Sequence, residues 1–244
     1  MRALSAGELL DVWEKGFART PTGRALALLA AANPEASQDA LADLTIGQRD
    51  AQLLMLRDWL WGSQMTAVFT CPCCGERLEL ALDAREMLAQ SPSEQPDEYP
   101  LSVAEYNLTF RLPTSLDVLA ATGQPDVETG RALILEHCVL SAEQEGVPVS
   151  SDKLPPEVAA TVAKSMADAD PLADVQLGVN CPSCQHQWQV AFDIVSFLWT
   201  EIEVWAWRIL SDVHTLASAY GWSEREILTI SPTRRQFYLE MVGA

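Results

Sequence analysis

Histidine is scarce in this chain of 244 residues: only His137, His186 and His214 occur, and no two have the spacing of a metalloprotease helix. The 12 glycines form no phosphate-cradling loop, no Gly-x-Ser-x-Gly elbow and no dinucleotide fingerprint. Acids abound, but among 34 Asp and Glu a pair at helical spacing reads as a solvated face rather than a catalytic dyad. No enzyme class is indicated. Basic residues number only 16, so the formal charge is −18. A surface that acidic is repelled by phosphate backbones and by anionic lipid, which argues against nucleic acid and membrane as partners. Long apolar runs are missing as well. The stretch 25–32 is too short to span a bilayer and follows Glu8, Asp11 and Glu14, the wrong flank for a secretory signal. Synthesis in the cytoplasm is expected.

Cysteine is too rare for a disulfide scaffold in a chain this long. Three of the six, Cys71, Cys73 and Cys74, crowd into four positions, which suits metal binding in a reducing compartment. What is present is material for a core: 48% of residues are hydrophobic and 20% charged, enough for one large domain or two modest ones.

Helical patterns dominate both ends. Ser5 with Glu8, Thr45 with Gln48 and Ser223 with Glu226 have capping-box spacing, and the first two open apolar stripes at i, i+3, i+4 and i+7. Pro21 and Gly23 read as a break before a short helix over 23–32, so three short helices would form an N-terminal cap. Residues 65–82 and 175–193 change period to two, each a strand, a tight turn and a strand. Between them lie a polar, proline-rich loop over 90–100, a strand over 107–112, helices over 118–121 and 127–140, a loop over 146–156 and a helix that Pro156 starts. A long aromatic helix over 194–219 follows, ended by Gly221, and Ser231-Pro232 opens the last one. The expected fold is mixed and mainly α. Helical N- and C-terminal parts (1–64 and 194–244) are joined by a small split zinc ribbon (65–82 and 175–193), with a central α/β insertion over 83–174.

The chemistry rests on the two turns, Cys71-Pro72-Cys73-Cys74-Gly75 and Cys181-Pro182-Ser183-Cys184. A Cys-x-x-Cys turn presents two thiolates from one hairpin, and two such turns complete the tetrahedron that structural zinc requires. One zinc ion held by Cys71, Cys74, Cys181 and Cys184 is expected, although 106 residues separate Cys74 from Cys181. Four thiolates would close the metal and leave no catalytic position. Redox use is disfavoured because neither turn opens onto a helix start that would lower a thiol pKa. Cys73 adjoins Cys74 and is left out of the set, His186 is a spare ligand at most, and Cys138 sits among leucines as a core residue.

The C-terminal text from 211 to 242 carries a resemblance. Tyr220-Gly221-Trp222-Ser223, Glu226-Ile227-Leu228, Ser231-Pro232, and Arg234-Arg235 through Tyr238-Leu239 are similar to the small baseplate proteins of contractile phage tails. The resemblance is to the T4-family baseplate hub and hub-assembly chaperone group and its counterparts in extracellular contractile injection systems. Leu9-Leu10-Asp11-Val12-Trp13-Glu14, Ile46-Gly47-Gln48-Arg49-Asp50 and the two cysteine turns resemble the longer, injection-system members. The resemblance implies a non-enzymatic structural or assembly component of a baseplate hub, with hub, spike or inner-tube proteins as partners. Permanent subunit and transient assembly factor both stay open. The alternative is a zinc-ribbon module associated with nucleic acid or transcription, which the acidic charge disfavours. Trp205, Trp207, Trp222, Arg234, Arg235 and Tyr238 are the candidate partner surface. Trp205 and Trp207 point about 200° apart on a helix, so one core face cannot take both, and aromatics and arginines are the usual interface anchors.

Overall fold

The structure, a computed structural model, describes residues 1–92 and 95–243, which divide into two compact units. Unit 1 comprises Met1–Glu35 and Val195–Ala244, and unit 2 runs from Ala36 to Ile194. Helix α1 (Ala6–Gly16) starts at the Ser5–Glu8 capping box. Helix α2 (Pro21–Ala32) corrects one expectation: Pro21 does not break a helix but occupies its first turn, with Thr20 Oγ1 accepting from the Gly23 amide at 3.2 Å. Proline fits there because that N–H has no helical partner.

Unit 2 opens with α3 (Gln38–Ala42) and α4 (Ile46–Trp61), the latter capped by Thr45 and Gln48 as the spacing predicts. The expected three-helix cap is therefore divided, since α1 and α2 belong to one unit and α4 to the other. Strands β1 (Gln64–Thr70) and β2 (Arg77–Asp83) form the first hairpin, followed by α5 (Ala84–Leu88). The polar loop expected over 90–100 contains residues 93 and 94, which lie outside the described residues, and its end is already strand. Strands β3 (Tyr99–Val103) and β4 (Tyr106–Phe110) precede α6 (Ser115–Thr122) and α7 (Val127–Cys138). The chain continues through β5 (Val139–Gln144), β6 (Val147–Pro148), a 3-10 turn at Ser151–Lys153 and α8 (Pro156–Ala169). The second hairpin is β7 (Val175–Asn180) with β8 (Gln187–Phe192).

The central insertion is richer in sheet than its sequence suggested. One strand was expected; four form an antiparallel meander in the order β3-β4-β5-β6. The helix expected to reach residue 140 stops at Cys138, because Val139 turns extended and pairs with Phe110. Glu145 and Gly146 both take positive φ, the two-residue turn that closes a hairpin between Gln144 and Val147. Tyr106, Leu108 and Phe110 bury one face of this sheet together with Val158, Val162 and Met166 of α8.

Unit 1 resumes with α9 (Ile194–Tyr220), α10 (Glu224–Thr229) and α11 (Pro232–Val242). Gly221, at φ +69°, makes the sharp exit from α9. Val213, Leu216 and Ile227 form a small core that Trp222, Leu228 and Tyr238 flank. The expected fold class, mixed and mainly α with small sheets, describes the molecule.

Candidate metal centre

The alternating apolar residues of each hairpin fix its register, and the register places the cysteines. In the first, Met65 and Ala67 are buried while Thr66 and Val68 face out, and Thr70 opposite Arg77 closes the strands around a turn. Inside that turn the Cys71 amide donates to the Glu76 carbonyl at 2.8 Å and the Gly75 amide to the Cys71 carbonyl at 2.9 Å. The second turn repeats the pattern between Asn180 and Gln187. The Cys181 amide donates to the His186 carbonyl, and the Gln185 amide to the Cys181 carbonyl, each at 2.9 Å. Gly75 has φ +76° and Gln185 φ +60° at the corresponding step.

These two turns bring all four predicted cysteines together. The sulfurs of Cys71, Cys74, Cys181 and Cys184 lie within 4.8 Å of one another, with Cys71 to Cys184 and Cys74 to Cys181 each 3.6 Å apart. A disulfide needs about 2.05 Å, so these are thiols. Cys71 and Cys181 are buried, whereas Cys74 lies at the surface. Burial works to raise the Cys71 pKa, but the amides of Cys74 and Cys73 and the neighbouring thiols outweigh it and bring it down to about 7. Cys184 moves the other way. The His186 amide favours its thiolate, yet burial and the three other sulfurs together push the thiol well up. Four thiolates packed this closely would repel one another, and a cation among them would relieve that repulsion. The cluster can hold a metal ion.

The lead-ins of both hairpins are tied down by hydrogen bonds. Arg57, buried near the end of α4, donates to the carbonyls of Gly62 and Gln64 (2.6 Å to Gln64) and so sets the start of β1. Asp170, just past α8 and ahead of β7, accepts from the Gly47 amide at 2.8 Å and from Gln95 Nε2 at 3.1 Å. A side chain at Gly47 has no room: its Cβ would lie 1.8 Å from Asp170 Oδ1. The tie thus joins the first turn of the helix before one hairpin to the segment before the other, 123 positions along the chain. Sequence reasoning missed Gly47, Gln95 and Asp170 as supports. A glycine in the first turn of an otherwise well-capped helix was the available signal. Further along α4, burial pushes the Asp50 carboxyl up to about 6 even though Arg49 donates to it at 2.7 Å.

The remaining candidates are scattered. Cys73 is exposed and outside the cluster, and His186 is exposed and stacks on Trp188 with centroids 5.7 Å apart. Cys138 is buried in the core of the insertion, where burial pushes its thiol up to about 12. In unit 1, Trp207 is 66% exposed and meets Trp13 edge-on, while Trp205 is half-buried. Trp222 and Tyr238 pack edge-to-face at 4.9 Å, with Tyr220 stacked on Trp222 at 4.7 Å. Arg235 is buried, its Nε donating to Asp212 at 3.2 Å, whereas Arg234 is exposed.

A family model described as T4 bacteriophage base plate protein matches residues 26–199. The match contains both cysteine turns and the whole insertion between them, and it stops short of the C-terminal text that carried the sequence resemblance. No curated protein and no solved structure matches the chain. No helix among the described residues is long and apolar enough to cross a membrane.

Proposed function

We propose, for a chain that belongs to the T4 bacteriophage base plate protein family, that it is a non-enzymatic structural or assembly component of the baseplate hub of a contractile injection system or phage-tail-like particle. The family match over 26–199 carries this reading. On it, the neighbours are hub, spike or inner-tube proteins, and Trp205, Trp207, Trp222, Arg234 and Tyr238 supply docking contacts, of which Trp207 and Arg234 are exposed. Arg235 serves that surface indirectly, by fixing α11 against Asp212. Co-expression with the tube, spike and hub proteins tests the assignment. The full chain is expected to co-purify with at least one of them, and deletion of 221–244 to abolish this while metal content survives. Failure of the full chain to join any would overturn the hub reading.

We further propose that the metal is one structural zinc ion. Zinc–sulfur bonds of about 2.3 Å in a tetrahedron separate the sulfurs by roughly 3.8 Å, and the two cross-turn distances of 3.6 Å fit that edge. Cys71, Cys74, Cys181 and Cys184 would hold it, and four thiolates leave no position for substrate. Metal analysis of purified chain should return one equivalent of zinc. The same value is expected after Cys73→Ser, and a value near zero in folded, reduced protein would refute the assignment.

A further inference from the structure

Unit 2 contains a second feature that the metal and the aromatic surface leave unused. Between α7 and α8 lies an open groove of about 830 Å³. Leu135, Leu154 and Met166 are among its apolar lining. Ala159, Ala160, Ala163 and Ala167 line it from α8, and Ala160, Ala163 and Ala167 recur at i, i+3 and i+7 along one face. Ala160 and Ala163 are exposed, on a helix face that solvent would normally find charged. Methyl side chains let a second helix approach at the near end of the usual 8–10 Å between axes.

The groove's polar groups sit at its margin. Glu128, Glu136, Asp152 and Asp174 are exposed along it, against one cation, Arg131, whose guanidinium already faces Glu128 at 3.5 Å. Asp170 also borders the groove, but it is 2% exposed and engaged by Gly47 and Gln95. A volume of this size falls in the range of small-molecule sites. Yet the groove's centre is alanine and aliphatic, its exposed charges sit at the margin, and the buried Asp170 is already bonded, which suits a small ligand poorly. An apolar trough with an acidic rim instead matches an amphipathic helix with basic flanks, the helix-in-groove mode of recognition.

We propose that this groove receives an amphipathic helix from a partner protein, its apolar face on the α8 alanines and its lysines or arginines against the rim acids. A second copy of the chain fits less well, because it would bring another −18 of charge to an already acidic margin. The proposal does not depend on the hub assignment or on the C-terminal surface.

A labelled peptide of about four helical turns, with leucines along one face and lysines on the flanks, is the probe for full-length chain. Fluorescence anisotropy at about 0.15 M salt should give saturable one-to-one binding, weakening as salt rises. Ala163→Phe fills the groove without changing charge, and should weaken binding at least tenfold. Glu136→Gln combined with Asp152→Asn and Asp174→Asn keeps the shape, and should weaken binding about tenfold while flattening the salt dependence. Circular dichroism would verify that both variants fold. Equal binding to the Ala163→Phe variant would reduce the effect to general charge attraction and overturn the proposal. Equal binding of a glutamate-flanked peptide would overturn the basic partner. Concentration-dependent dimers of the chain alone, lost in Ala163→Phe, would give the groove to a second copy and overturn the partner reading.

Discussion

The two cysteine turns share a backbone path but not a sequence. Their four internal hydrogen bonds agree to within 0.1 Å, yet the first turn reads Cys-Pro-Cys-Cys-Gly-Glu and the second Cys-Pro-Ser-Cys-Gln-His. At the step after the second cysteine the chain needs positive φ, and the first turn meets this with Gly75. The second takes it with Gln185, a side chain that this region disfavours. A strained residue persists only where its surroundings over-determine it. Here the hairpin register on one side and the sulfur cluster on the other impose the geometry, so the turns converge on one shape despite different residues. The third position differs as well. Cys73 and Ser183 both face solvent, so neither turn depends on that side chain.

If both turns serve one metal, they should fail alike. Cys181→Ser and Cys71→Ser are each expected to abolish stoichiometric zinc and to cost unit 2 its cooperative unfolding, because metal binding and folding are coupled. Structural zinc in small domains is worth about 10–16 kcal/mol, the largest effect foreseen here. Metal analysis and thermal melting of the two variants provide the check. Zinc retained by one variant and lost by the other would mean that the turns are not equivalent ligand pairs.

A smaller loss should follow from untying the lead-ins without touching a ligand. Gly47→Ala sets a methyl 1.8 Å from Asp170 Oδ1, so the carboxylate must leave its bond to the residue 47 amide. The expected cost is about 2–4 kcal/mol, from overpacking and a buried polar group left unpaired, with zinc still bound. Asp170→Ala in the Gly47→Ala background should recover part of that loss, since the clash is gone. A double-mutant cycle by denaturant unfolding measures this. Simple additivity would show that the two residues do not act as a pair.

The cysteine set was legible because ligand spacing is a local property that fold context barely modifies. The capping boxes at Ser5, Thr45 and Ser223 were legible for the same reason. What escaped depends on distant partners. Val139 and Leu140 read as the tail of a helix until Phe110 is there to pair with Val139. Asp170 reads as one acid among 34 until Gly47 and Gln95 are placed beside it. The alanines of α8 line a groove only once α7 is placed beside them. Arg234 and Arg235 are neighbours in sequence, but helical geometry turns one to solvent and the other onto Asp212.

The finest contrast between the turns lies at Gly75 and Gln185, where matched substitutions should have opposite signs. Gly75→Ala forces a Cβ into the left-handed region at φ +76° with open space around it, so the cost is backbone strain of about 1–2 kcal/mol. The reduced freedom of the unfolded chain offsets roughly 0.5–1 kcal/mol of this, leaving a net cost of about 0.5 kcal/mol. Gln185→Gly relieves the same strain at φ +60°. It forfeits the Gln185 Nε2 bond to the Pro182 carbonyl at 3.1 Å, which is exposed and therefore worth little. It also gives the unfolded chain more freedom, at roughly 0.5–1 kcal/mol. Strain relief should slightly exceed these losses, for a net gain of about 0.5 kcal/mol read from denaturant midpoints at saturating zinc. Were Gln185→Gly to destabilise as much as Gly75→Ala, the second turn would owe its shape to the glutamine side chain itself, and the equivalence of the two turns would fail at that residue.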